Sequence, residues 1–146
     1  MSPTVKVSVT DQGSRRTAST GSAWEPVVGY SRAVRVGDLI VVTGTVGLEP
    51  DGRYGATVTA QTHRALEIIV AAIEALGGKI TDVVRTRIYV TDIEQWREVG
   101  AVHSEFFESI RPATTMVQVA RLIDPQALVE IEADAVVHRE LEGRIA

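Results

Sequence analysis

The chain has 146 residues, with 15 Lys+Arg against 19 Asp+Glu for a net charge of −4 at pH 7, and no cysteine. Such a length suits one domain that buries roughly two-thirds of the surface its unfolded form exposes, so no metal or disulfide staple is required. The absence of cysteine rules out disulfides, thiolate nucleophiles and sulfur-ligated metals, and the acidic balance without any Lys/Arg-rich run argues against nucleic acid as the main partner.

Residues 1–6 lack the apolar core of a signal peptide, and no later run approaches the roughly 20 apolar residues that span a bilayer. The expectation is a cytoplasmic protein with no membrane partner. Val5, Val7 and Val9 alternate with polar residues and predict a short first strand. Residues 11–22, rich in Gly, Ser and Thr, read as a loop in which Arg15-Arg16 is a solvated pair. Residues 1–29 are therefore read as an N-terminal strand and loop.

Val34-Arg35-Val36, Gly37-Asp38 and residues 39–45 predict a hairpin whose turn uses the positive φ that glycine tolerates. Residues 49–56 form another loop. A helix is predicted over 59–76, with Leu66, Ile69, Val70 and Ile73 in one stripe, Arg64, Glu67 and Glu74 pointing elsewhere, and Gly77-Gly78 as the stop. Residues 83–90 predict a strand with Arg85, Arg87 and Tyr89 on one face and Val84, Thr86, Ile88 and Val90 on the other. Asp92 caps a second helix, in which Trp96, Val99, His103, Phe106, Phe107 and Ile110 recur at helical spacing until Pro112 ends it. Strands over 113–119 and 128–137 close the chain, followed by a charged tail, 138–146, that frays. The order predicts one α+β domain over 1–146, a single mixed β-sheet with two helices packed on one face.

The last strand carries the strongest chemical signal. Glu130, Glu132 and Asp134 alternate with Val129, Ile131, Ala133 and Ala135, the period of a strand buried on one side. Stacked carboxylates repel, so a cationic strand, a neighbouring subunit or a ligand cleft is expected opposite them. Arg85 and Arg87 offer the cationic strand, and the charged side is expected to meet another subunit.

Four ordered blocks carry a family likeness: Gly29-Tyr30-Ser31-Arg32-Ala33-Val34; Gly37-Asp38-Leu39-Ile40-Val41-Val42-Thr43-Gly44; Val83–Val90 with its Thr91-Asp92 ending; and Pro112-Ala113 with Glu130-Ile131-Glu132-Ala133. Over residues 30–137 the chain resembles the reactive intermediate deaminase (Rid) family, also labelled YjgF-type or L-PSP endoribonucleases. The resemblance implies a chorismate-mutase-like fold and a homotrimer with a barrel-like core and ligand clefts between subunits. It also implies chemistry without a cofactor, in which water attacks the C=N carbon of a 2-imino acid made by pyridoxal-phosphate enzymes and leaves a 2-keto acid and ammonia.

That reaction needs a cation for the substrate carboxylate, an acceptor for the water, and backbone groups that fix the imine. Glu130 matches the family's water-positioning glutamate if the loop over 123–127 holds one extra residue; the competing reading pairs it with Arg85 or Arg87 in a structural ladder. Tyr30 matches a pocket-lining tyrosine, and Gly44 the glycine whose backbone approaches the ligand, against a bulge or close strand packing as the bland alternative. The family's pocket arginine falls at Thr114. A hydroxyl in place of a bidentate guanidinium forfeits charge-assisted bonds worth about 1.5–3 kcal/mol, which weakens anchoring of a small 2-imino acid by roughly ten- to a hundredfold. Reduced activity on 2-iminobutyrate is the expectation. Arg32, where the family commonly has glutamine, is a candidate replacement cation; a surface arginine or intersubunit salt bridge is the alternative.

Arg111, just before Pro112, is expected to meet the helix C-terminal dipole. Gly100 and Met116 replace a family asparagine and a pocket cysteine, which implies a wider, more apolar cleft, with Trp24 as a lid residue from the preceding loop. His63 and His103 border apolar helix stripes and read as packed histidines. No metal-ligand or phosphate-loop pattern occurs. Three readings follow: an imine or enamine hydrolase, a non-catalytic trimer that binds a carboxylate-bearing metabolite, and, least supported by the acidic balance, a ribonuclease.

Overall fold

In the computed structural model, which describes residues 3–138, the hairpin turns at Gly37-Asp38 as anticipated. It joins β3 (Ala33–Val36) to β4 (Leu39–Val46), and Gly37 takes φ 59°. Ahead of it lie β1 (Ser8–Asp11), β2 (Arg15–Ser19) and a five-residue helix α1 (Trp24–Val28). Then come α2 (Val58–Ala75), β5 (Val83–Val90), α3 (Trp96–Phe107), β6 (Ala113–Gln118) and β7 (Val129–Val136). The strands form one seven-stranded mixed sheet in the order β1-β2-β3-β4-β7-β5-β6, with β5 and β6 parallel and every other pairing antiparallel.

The core follows from period. In β7, Val129, Ile131, Ala133 and Ala135 are buried, and they meet Leu66, Ile69 and Ile73 from the apolar stripe of α2. Helix α2 packs on β4 and β7 and against α3, so both long helices cover one side of the sheet. Thr57 caps α2 by accepting from the Ala60 N–H, and Gly77 at φ 86° follows its C-terminal cap, Leu76. No helix among the described residues is long and apolar enough to cross a membrane.

Four local expectations need correction. The stretch over 11–22 is not a loop throughout, because β2 sits between β1 and β3 with only Ala18 fully inward. Its strand character comes from ladder pairing rather than from its side chains. Arg16 is not simply solvated either: with Arg35 it donates to the Leu76 carbonyl (3.0 and 2.7 Å) at the C-terminal, negative end of α2. In β5 a register shift between Val83 and Arg85 buries Val83 and leaves Val84 exposed. Residues 3–7 precede the first strand, which begins at Ser8. The charged tail beyond His138 lies outside the described residues.

Candidate functional site

The site starts from an irregularity in β4. Val42 faces Ala133 and Thr45 faces Ile131, so Thr43 and Gly44 together stand opposite the single residue Glu132. This bulge re-aims the strand and releases the Gly44 carbonyl from the ladder. The freed carbonyl accepts from Arg32 Nη1 at 2.9 Å. A Cβ at Gly44 would stand 3.0 Å from both Cδ and Oε1 of Glu130, so a glycine lets the carboxylate lie against the backbone.

Arg32 is 5% exposed and organises this corner. Its Nη1 also donates to Thr45 Oγ1 (3.0 Å) and its Nη2 to the Tyr30 hydroxyl (3.3 Å), with the guanidinium 5.4 Å from the Tyr30 ring centroid. The fork is therefore committed to protein oxygens and is not a surface group. Its charge pulls the Glu130 pKa down, but burial, assisted by the Glu132 charge, holds that pKa above the usual glutamate value.

Glu130 differs from its neighbours on the strand. Tyr89 donates to Glu132 Oε1 at 2.8 Å, and Arg87 Nη1 lies 3.6 Å from Glu132 and 3.3 Å from Asp134. This is the cationic strand facing the carboxylates, and it takes Glu132 and Asp134. Among the described residues, no hydrogen-bond donor and no ion-pair partner reaches the Glu130 carboxylate. Its acceptor sites open into a hollow of about 780 Å³ that Tyr30, Arg32, Gly44 and Trp24 also line. Trp24 reaches it from α1 rather than from a loop. Five residues give that helix too little periodicity to be read from sequence.

Thr114 stands elsewhere in the chain. It lies on edge strand β6 in register with Thr86, and its hydroxyl shares a 2.8 Å hydrogen bond with Thr86 Oγ1, which also meets His103 Nε2 at 2.9 Å. Burial pushes the His103 pKa down, and its ring packs on Phe107. Met116 packs against the core from the same side of β6. His63 pairs with Glu67 at 2.9 Å and meets the edge of Phe106. Arg111 donates its backbone N–H to the Phe107 carbonyl at φ 55°, so its backbone contributes to the end of α3.

Other wall residues were not among the candidates. Arg64, assigned by its helical position to the outer side of α2, is 4% exposed and lines the hollow with Glu49, Asp124 and Lys6. A helical wheel sorts residues against one apolar stripe, and here a second side of α2 is also covered. Tyr54, which is not part of that lining, has its pKa pushed up to about 12, by burial first and then by the charges of Asp124 and Glu130. No group of three or more His, Cys, Asp or Glu among the described residues could hold a metal ion.

Residues 20–137 match the family model described as Endoribonuclease L-PSP. The crystal structure of Rv2704, a YjgF/YER057c/UK114 family member from Mycobacterium tuberculosis, is 56% identical with a TM-score of 0.80, covering 85% of this chain and 100% of that one. The 2-iminobutanoate/2-iminopropanoate deaminase of Escherichia coli (strain K12) is 34% identical over 125 residues, 83% of this chain and 97% of the relative. E. coli TdcF, solved with bound serine, is 29% identical with a TM-score of 0.70, covering 75% of this chain and 88% of that one.

Proposed function

Because the chain belongs to the Endoribonuclease L-PSP family, the YjgF or Rid family, we propose that it is a hydrolase of small imines or enamines acting at the hollow beneath Glu130. The observation that carries this reading is the Glu130 carboxylate, half-buried and without a protein donor while Glu132 and Asp134 beside it are engaged. A carboxylate so placed has its lone pairs free for water.

The chemistry balances without a redox partner. Water adds its oxygen to the C=N carbon while Glu130 takes the water proton. That proton passes to nitrogen to give a carbinolamine; the second water proton then moves from its hydroxyl through Glu130 to the amino group as the C–N bond breaks, so ammonia leaves and the carbonyl forms. Arg32 serves by position, since it holds the Gly44 carbonyl and the Tyr30 hydroxyl at the same wall. Two features set the substrate class. Thr114 turns its hydroxyl to Thr86 and gives the hollow no cation, and the volume falls within the ~300–1,000 Å³ that ligand pockets use for drug-sized molecules. The preferred imine is accordingly bulkier than 2-iminobutanoate.

Assembly belongs to the same reading. The sheet face away from the helices leaves Leu39, Val41 and Val136 at 47, 39 and 38% exposure beside the Arg87 ladder. Apolar surface of this kind is satisfied by a second copy of the face, and the family likeness favours a trimer.

The test is ammonia release from freshly generated 2-imino acids of graded size. Turnover is expected to favour the imines of leucine and phenylalanine and to vanish in Glu130→Ala. Absence of turnover together with retained binding of the matching 2-oxo acids would instead assign the chain to non-catalytic metabolite binding.

A further inference from the structure

Cations are scarce around the hollow. Its described lining holds three, Lys6, Arg32 and Arg64, against four carboxylates, Glu49, Asp124, Glu130 and Glu132. An anionic ligand entering such surroundings needs a positive group that is not already spent. Arg32 is 5% exposed, with Nη1 on Gly44 and Thr45, Nη2 on the Tyr30 hydroxyl and Nε buried without a partner, so little of its guanidinium is presented to an incoming anion. Arg64 is spent too: Nη1 donates to the Pro3 carbonyl at 2.8 Å, and the guanidinium lies 3.5 Å from Glu49 and 3.9 Å from Glu67. Lys6 has no hydrogen-bond or ion-pair partner among the described residues.

The segment that carries Lys6 is held at both ends. Buried Arg64 fixes the Pro3 carbonyl on one side, while on the other Val7 packs against the core just before Ser8 enters the β1–β2 ladder. Between these anchors Thr4, Val5 and Lys6 form a wall of the hollow. This wall precedes residue 20, where the match to the family model begins.

We propose that Lys6 binds the carboxylate of the substrate, so that residues 3–7 determine which anions the hollow accepts. The proposal rests on the imine-hydrolase reading for the identity of the substrate, and not for the presence of an anion site. An ammonium is a compact charge with three donors on a flexible stem, suited to a carboxylate held toward the N-terminal wall while the imine carbon faces Glu130. The carboxylate of a 2-imino acid is bonded directly to the imine carbon, so Lys6 and Glu130 address neighbouring atoms of one substrate whatever its side chain.

The experiment uses the full chain and two readouts. Binding of phenylpyruvate, and of phenylacetone as its carboxylate-free counterpart, is followed by calorimetry; ammonia release from the imine of phenylalanine gives KM and kcat. Lys6→Met is expected to weaken phenylpyruvate binding roughly ten- to a hundredfold, to raise KM rather than lower kcat, and to leave phenylacetone unaffected, with Lys6→Arg restoring the carboxylate preference. Arg64→Leu, which frees the Pro3 end, is expected to weaken phenylpyruvate in the same direction. Unchanged phenylpyruvate affinity in Lys6→Met, alongside turnover that depends on Glu130, overturns the Lys6 assignment and leaves the enzyme reading intact. Lys6-dependent phenylpyruvate binding without any turnover supports the anion site and overturns the enzyme reading. No phenylpyruvate binding by the wild-type chain overturns the anion site.

Discussion

Keeping Glu130 ionised costs stability where it stands. Its folded pKa is raised, chiefly by burial, so the folded chain holds this proton more tightly than the unfolded chain does. The stability contributed by the protonated group is therefore complete below the ordinary glutamate pKa and is lost as pH rises through the elevated one. Glu130→Gln removes that penalty, and we expect its Tm to exceed the wild-type value at neutral pH, with the difference closing in acid; thermal unfolding across pH checks this. Tyr30, Gly44 and Glu130, grouped from sequence by backbone position, line one hollow. The sequence did not reveal what Arg32 does, because the oxygens its fork meets are set by the β4 bulge, which no residue type in that stretch announces.

At the scale of elements, two glycines with opposite surroundings test the geometry. Gly44→Ala drives a methyl into the Glu130 carboxylate, so kcat should fall while the sheet survives. Gly100, inside α3, meets nothing within 4 Å of a built Cβ. Gly100→Ala should therefore stabilise the chain by about 0.5–1 kcal/mol, visible as a higher Tm. Periodicity made α2, α3 and β7 legible, and glycine placement made the β3–β4 turn legible. Strand β2 and helix α1 were missed for different reasons. The first places only Ala18 fully in the core and relies on its neighbours, and the second is shorter than two helical turns.

For the whole molecule, the mixed sheet with helices on one side was readable from element order, and its other side explains the unusual strand chemistry. Arg87 lies within ion-pair reach of both Glu132 and Asp134, and Leu39, Val41 and Val136 stand exposed on the same face, the surface proposed to meet a neighbouring copy. Val41→Glu puts a charge opposite Asp134 and, if the proposed trimer forms, converts an assembly of about three 15.8 kDa chains into monomers by light scattering. The route taken by residues 3–7 was not legible, because it depends on a buried arginine sixty-one positions away from Pro3 in sequence. The central claim is that Glu130 activates water, and the pH dependence of ammonia release by wild type and Glu130→Gln tests it most directly. The account predicts a wild-type rate that climbs through an acid limb above the ordinary glutamate range, and a variant slower by about a hundredfold or more with that limb gone. A variant that matches the wild-type rate and profile would contradict it.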